Sequence, residues 1–242
     1  RLSSRCTPFG LFAGCNVGEF DKKTSIKLDN LKSYNRSTRL DMSYLVTLSN
    51  HLLKNINIRN NLKYYPNTSI YNIGKELRYI EFEFDGILRK HQISAIENNR
   101  YIKKVLSLSK NGINFNDLVK SLLDKNNGID TVNDYISDLI ENQIIISEID
   151  PSVSGPDYLN HLINILSKIN GAQNEHRILV KVQKLLKKVD SKIGNPVSIY
   201  LKISGILKKL NTEFDIKYLF QTDYFFNTIN NSLAEKHLVS IK

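Results

Sequence analysis

The chain has 242 residues, is 41% hydrophobic, and carries 34 Lys and Arg against 24 Asp and Glu, a formal net charge of +10. No apolar run approaches the roughly 20 residues needed to span a bilayer, no secretory signal opens the sequence, and the cysteines (Cys6, Cys15) and five histidines show no disulfide or metal-ligand spacing. That excludes a membrane-spanning helix, a disulfide scaffold and a zinc module, leaves a reducing cytoplasm as the expected location, and makes polyanions favoured partners through steering and counterion release. A Lys-rich solvated surface would give the same charge balance. The chain opens on Arg1 rather than Met, as expected of a piece of a longer protein.

Residues 1–20 are punctuated by Pro8, Gly10, Gly14 and Gly18, which predicts a compact loop with short strands. Residues 22–29 alternate Thr24, Ile26 and Leu28 with Lys23, Lys27 and Asp29, a strand pattern. Leu45, Leu48, Leu52, Leu53 and Ile56 recur at helical spacing over 41–56, with Asp41 able to cap the start. From Leu62 to Ile96 the pattern becomes a run of β segments, and Asp85-Gly86 reads as a two-residue hairpin connection. Three short helices follow, marked by Tyr101, Val105 and Leu106, by Phe115, Leu118, Val119 and Leu122 behind Asn114, and by Val132, Tyr135, Ile136, Leu139 and Ile140 behind a capping-box-like Thr131 to Asp134. With the short β segment Ile144–Ile146 they spell a winged helix-turn-helix. Amphipathic helices are expected at 157–170, 174–190 and 197–210, and a strand with one acidic residue, Asp223, at 216–226.

The most informative stretch is Arg1-Leu-Ser-Ser-Arg5-Cys6-Thr7-Pro8-Phe9-Gly10-Leu11-Phe12-Ala13-Gly14. Two guanidinium groups four residues apart and a nearby hydroxyl suit a carboxylate or a phosphate; a basic surface turn would use the same residues. No histidine partner is indicated for Cys6, and no P-loop or dinucleotide fingerprint occurs.

This stretch resembles the motif of the class I lanthipeptide (lantibiotic) dehydratases, in their N-terminal glutamylation region. Arg39-Leu40-Asp41 with Tyr44-Leu45, Tyr65-Pro-Asn67-Thr-Ser69-Ile-Tyr71, and Phe220-Gln-Thr-Asp223 resemble later blocks of the same family, in the same order. The resemblance implies an enzyme that moves glutamate from glutamyl-tRNA to Ser or Thr of a ribosomally made precursor peptide, before elimination of the glutamate. It carries the family's catalytic positions onto Arg1, Arg5, Thr7, Asp41 and Asp223. The arginines would hold an anion, either RNA phosphate or the glutamate side chain, and Thr7 would hydrogen-bond in the pocket. Asp41 and Asp223 would bind the glutamate ammonium, orient an arginine or accept a proton; a helix cap and a salt bridge are their ordinary structural roles.

The fold expected is α+β, a mixed glutamylation domain (1–60 and 150–242) interrupted at 61–149 by a winged-helix peptide-recognition module with a small antiparallel sheet. In the family such a module resembles the element that holds the precursor's leader by adding a strand to an open sheet edge. Leu88 to Ile96 is the edge expected, with Ile93, Ala95, Tyr135 and Leu139 lining the groove; the same four would serve equally as core. A basic helical surface containing Lys181, Lys184, Lys188 and Lys208 would face the tRNA body, or solvent alone. No cofactor is expected, with glutamyl-tRNA as co-substrate. Expected partners are the leader-bearing precursor peptide, glutamyl-tRNA and the rest of the dehydratase, with a cyclase and a second copy of the chain as further candidates, and any membrane association would be peripheral, through those partners. The piece alone is expected to be inactive, since the family's elimination machinery lies in later sequence. Alternatives are a non-catalytic leader-binding module, a peptide aminoacyl-tRNA ligase without elimination activity, and a winged-helix nucleic-acid binder; Asp134, Asp138 and Glu141 on the third helix disfavour the last.

Overall fold

The computed structural model describes residues 14–15, 17–27, 30, 34–85, 88–124, 128–152, 155–226 and 231–237. In chain order the elements are β1 (Gly14–Cys15), β2 (Glu19–Asp21), β3 (Tyr34–Leu40), α1 (Met42–Leu53), α2 (Ile56–Asn61), β4 (Lys63–Pro66), β5 (Tyr71–Ile73), β6 (Glu76–Asp85) and β7 (Leu88–Glu97). There follow α3 (Arg100–Ser109), β8 (Ile113–Asn114), α4 (Phe115–Leu122), α5 (Ile129–Glu141), β9 (Ile145–Ser147), α6 (Tyr158–Leu166), α7 (Gln173–Asp190), α8 (Val197–Leu207), β10 (Phe220–Phe226) and β11 (Ser232–Ala234). The chain divides into two compact units, Arg1–Tyr44 with Val180–Lys242, and Leu45–Leu179. The second is wider than the 61–149 segment read as a module, because it also takes in α2, α6 and parts of α1 and α7. None of the described helices is long and apolar enough to cross a membrane.

In the first unit β10 is the central strand of a three-stranded sheet, parallel to β1 and antiparallel to β3. A second ribbon pairs β11 with β2 in parallel. The alternation over 22–29 does not make a strand in its described part: residues 22–27 are exposed, and only Ser25 forms an isolated bridge, to Ser232. A strand forms instead at 34–40, where the sequence gives no hydrophobic alternation. Leu219 is buried behind a 3-10 turn at Ile216–Tyr218, so β10 starts at Phe220 rather than at 216. Tyr44 and Phe214 pack edge to face at 5.4 Å, and burial raises the Tyr44 phenol above its ordinary range.

The second unit begins in α1, whose stripe Leu45, Leu48 and Leu52 is buried. The helix does not continue to Ile56. Asn55 accepts from Asn57 N at 3.0 Å and starts α2, leaving Ile56 66% exposed. The order α3, β8, α4, α5, β9 is that of a winged helix, with β4 between β8 and β9 in an antiparallel sheet. Its core is the expected one: Phe115, Leu118, Val119 and Leu122 of α4 and Val132, Ile136 and Leu139 of α5 are buried. Helix α5 starts two residues earlier than expected, capped at Gly128, so Thr131 lies inside its first turn. Gly112 has φ +80°, and a Cβ there would stand 2.6 Å from the Tyr65 ring, so neither the turn nor the ring tolerates a side chain.

Strands β5, β6 and β7 form an antiparallel sheet with β6 central, closed at Asp85 opposite Leu88. Beyond β5, the free side of β6 is covered by side chains. Ser69 Oγ accepts from Ile80 N at 2.8 Å, Asn67 Nδ2 donates to Ile80 O at 2.9 Å, and the Gln143 amide bonds both Phe82 N and Phe82 O. Gln143 sits at φ +54° to do so. Among the described residues no strand pairs with the outer edge of β7.

Candidate functional site

The β3–β10 ladder sorts its residues by parity. Leu40 faces Phe220, Arg39 faces Gln221, Ser37 faces Asp223 and Arg36 faces Tyr224. Side chains alternate across a strand, so Ser37, Arg39, Gln221 and Asp223 share the more exposed face, while Arg36, Thr38, Leu40, Thr222 and Tyr224 share the other. On the exposed face Arg39 Nη2 lies 3.1 Å from Asp223 Oδ2, and Arg39 Nε donates to Gln221 Oε1 at 3.4 Å. The Asp223 Oδ1 atom is buried without a hydrogen-bond partner. Asp41 N donates to Leu219 O at 2.9 Å, which extends the ladder by one rung and continues the parity of Arg39. Its Oδ1 accepts from Ser43 N at 2.8 Å and Ser43 Oγ at 2.5 Å, capping α1. Asp223 therefore stands on the sheet as an ion-pair partner, and Asp41, one residue past the end of β3, as a cap.

Arg1, Arg5 and Thr7 lie outside the described residues. The last residue of their motif, Gly14, pairs with Tyr224, next to Asp223 in sequence.

The opposite face holds a group that the sequence reading missed. The Arg36 side chain is 6% exposed. Its Nε donates to Thr38 Oγ1 at 3.1 Å and lies 3.7 Å from Asp190 Oδ1, and its Nη2 donates to the Tyr200 hydroxyl. Its Cζ lies 5.8 Å from the centroids of both Tyr200 and Tyr224. Asp190 Oδ2 accepts from Thr38 N at 3.0 Å, so the last residue of α7 ties down the outer edge of β3. Burial raises the Tyr224 phenol, with Arg36 pulling the other way. The only sequence signal was a lone acid, Asp190, closing a Lys-rich helix.

In the second unit, Ile93 faces Ile80 across β6–β7 and is 67% exposed; Ala95, opposite Arg78, is exposed too. Leu139 is 2% exposed, in the winged-helix core. Tyr135 lines a cavity of about 170 Å³ with Tyr101, Leu122, Thr131 and Val132, and burial raises its phenol. Leu139 and Ile93 thus differ sharply in access, and the cavity beside Tyr135 uses residues of α3 and α4 that the sequence reading did not select. Asn67 and Ser69, in the Asn-x-Ser block, spend their polar groups on the turn and on β6: Asn67 Oδ1 accepts from Ser69 N and Oγ at 3.0 and 2.6 Å.

Lys181, Lys184 and Lys188 fall at helical spacing on α7 and are exposed, as is Lys208 in the 3-10 turn after α8. Among the described residues no cluster of three or more His, Cys, Asp or Glu side chains is arranged to hold a metal ion.

Subtilin biosynthesis protein SpaB of Bacillus subtilis is 26% identical over 166 residues, 68% of this chain and 15% of that protein. Epidermin biosynthesis protein EpiB of Staphylococcus epidermidis is 21% identical over 246 residues, 97% of this chain and 24% of that protein. The chain thus spans about a quarter or less of the curated relatives it matches. The crystal structure of the tRNA-dependent lantibiotic dehydratase MibB from Microbispora sp. 107891 superposes with a TM-score of 0.69 at 16% identity, over 98% of this chain and 23% of that one. The glutamylation domain of TbtB from thiomuracin biosynthesis, bound to 5'-phosphodesmethylglutamycin, gives 0.62 at 11% identity, over 95% of this chain and 28% of that one. These likenesses are of fold, and they agree with the mixed α+β arrangement and its small antiparallel sheets. The family model described as "Lantibiotic dehydratase, N terminus" matches residues 1–240, almost the entire length, and the chain belongs to that family.

Proposed function

We propose that this chain is the part of a lantibiotic dehydratase that transfers glutamate from glutamyl-tRNA to Ser or Thr hydroxyls of a precursor peptide. The observation that carries the reading is the shared exposed face of β3 and β10, where Asp223 holds Arg39 and Asp41 continues the same parity, with the end of the Arg1–Gly14 motif paired beside Asp223. Such a face offers a cation and a carboxylate 3.1 Å apart, with a second carboxylate further along the same ladder.

In the transfer, the peptide hydroxyl attacks the carbonyl carbon of the glutamyl ester. A new ester bond forms, the bond to the terminal ribose oxygen of the tRNA breaks, and the hydroxyl proton ends on that oxygen. Arg39, steered by Asp223, and the motif's Arg1 and Arg5 hold the negative groups of the glutamyl end, and Thr7 adds a hydrogen bond. The unpartnered Asp223 Oδ1 is the acceptor that the glutamate ammonium satisfies. Asp41 fixes the start of α1 and so the end of β3. Lys181, Lys184, Lys188 and Lys208 supply phosphate contacts. Glutamyl-tRNA serves as co-substrate without a further cofactor. The 45–179 unit captures the leader along the open edge of β7 by strand addition, with Ile93 and Ala95 on the strand and the Tyr135 cavity as a side-chain pocket.

The test uses the full-length parent protein with glutamyl-tRNA and the precursor. Glutamyl adducts are expected by mass spectrometry, and Asp223→Asn and Arg39→Ala should remove them while leader binding persists. Adduct formation unchanged in both variants would defeat the assignment.

A further inference from the structure

The buried face of the β3–β10 ladder holds the residue just before each member of the Arg39–Asp223 pair. Thr38 precedes Arg39 in the chain, Thr222 precedes Asp223, and the two threonines stand opposite one another in register with their hydroxyls 3.4 Å apart. Thr38 is 6% exposed, although β3 is an edge strand of its sheet. Two contacts fix Thr38 besides its pairing with β10: its N donates to Asp190 Oδ2 at 3.0 Å, and its Oγ1 accepts from Arg36 Nε at 3.1 Å. Arg36 is held in turn from α8 and from β10, by the Tyr200 hydroxyl and by the Tyr200 and Tyr224 rings.

The distances around Asp190 decide what its carboxylate does. One oxygen makes a hydrogen bond to the β3 backbone at 3.0 Å, while the other stands 3.7 Å from Arg36 Nε, too far for a hydrogen bond, and is buried without one. A carboxylate placed only to neutralise Arg36 would close on the guanidinium fork, whose parallel donors match it. Asp190 makes its close contact with the strand instead. Successive side chains point to opposite faces, so any shift or twist of the Thr38–Thr222 rung turns Arg39 and Asp223 with it. Their contact at 3.1 Å is diagonal, and a diagonal contact depends on the register and twist that this rung sets. We propose that Asp190 is a positioning residue for the transfer: through Thr38 and its partner Thr222 it sets the placement of Arg39 relative to Asp223 on the opposite face. This rests on the glutamyl-transfer reading and adds to it a residue that acts from behind the sheet and touches none of the reacting groups.

The experiment uses the full-length parent protein with glutamyl-tRNA and the precursor. It compares Asp190→Asn and Thr222→Val, which keeps the β-branched shape, with the unaltered protein at a temperature where all are folded. Single-turnover transfer at saturating substrates should slow about tenfold in each variant, while the affinities for glutamyl-tRNA and for the leader stay within about twofold. The double variant should be about as slow as the slower single variant, because both changes act through one rung. A merely structural role would leave the rate of the folded protein unchanged, and that result overturns the proposal. A loss confined to substrate affinity, or two losses that multiply in full, overturns it as well. Thr222→Val alone decides the matter if Asp190→Asn fails to fold. Absence of adducts from the unaltered parent would defeat the transfer reading and this proposal together. Adducts lost in Asp223→Asn but formed at full rate in Asp190→Asn and Thr222→Val would overturn this proposal alone.

Discussion

Arg39 and Asp223 meet diagonally across the β3–β10 ladder, two residues out of register, with Nη2 3.1 Å from Oδ2. Diagonal neighbours on one face are within reach of a long side chain. The pair joins a residue near the start of the chain to one near its end.

Because Arg39 is 45% exposed and Asp223 22%, the pair should matter more to chemistry than to folding. Asp223→Asn is expected to change stability by less than about 1 kcal/mol, measured by urea unfolding of the chain. Glutamyl-adduct formation by the full-length variant should fall on the order of 100-fold.

Arg36 should behave in the opposite way. Its side chain is almost wholly buried against Asp190, Thr38, Tyr200 and Tyr224, so truncation leaves Asp190 without its cation. Arg36→Ala should cost roughly 3–5 kcal/mol by urea unfolding. Asp190→Asn, which keeps an oxygen for Thr38 N, should cost less.

The sheet of β5, β6 and β7 contains a pH-sensitive pair. Burial, reinforced by the Glu81 carboxylate, pushes the Tyr79 phenol up to about 12 from 10.0. A phenol with a raised folded value contributes stability in full below its unfolded value, and that contribution is lost as pH rises from 10.0 towards about 12. Glu81 is held below the usual carboxylate range by the Ser94 hydroxyl, with Gln92 and Tyr79 adding hydrogen bonds and burial opposing them. Its contribution is present above the ordinary Glu range and is lost as pH falls through the lowered value. In thermal unfolding across pH, Tyr79→Phe should flatten the alkaline limb and Glu81→Gln the acid limb.

Leu139 and Ile93 separate packing from recognition. Leu139→Ala, at 2% exposure, should cost roughly 2–5 kcal/mol. Ile93→Ser, at 67% exposure, should stay within about 0.5 kcal/mol and yet weaken leader binding. Calorimetric titration of the chain with the leader peptide checks the second.

Lys181, Lys184 and Lys188 should act through phosphate contacts. Each Lys→Ala change is expected to lower the slope of log affinity for tRNA against log salt by about 0.7–0.9, read by filter binding over a salt series. An unchanged slope in the triple variant would mean that this face meets only solvent.

The local chemistry of the chain was legible wherever a short-range pattern decides the outcome. The α4 and α5 stripes, the hairpin closing at Asp85 and Leu88, and the Asp41 cap, which accepts from Ser43 N at 2.8 Å, follow from periodicity and turn chemistry. The motif blocks were legible too, because they are written in contiguous residues. Strand β3 was not. Its inner positions Arg36 and Thr38 carry no hydrophobic signal, and their burial is made tolerable by Asp190, Tyr200 and Tyr224, more than 150 residues away in the chain. The expected strand at 22–29 failed for the converse reason: it alternates correctly, but over the described residues 22–27 nothing covers its apolar side.

The sequence alone determined the family and the α+β class, since these are written in local runs. The tertiary structure decided that Asp223 would hold Arg39 and that Arg36 would be buried against Asp190. A side chain's partner is set by which distant segments fold against it, and burial then fixes whether an unpaired charge can be left there.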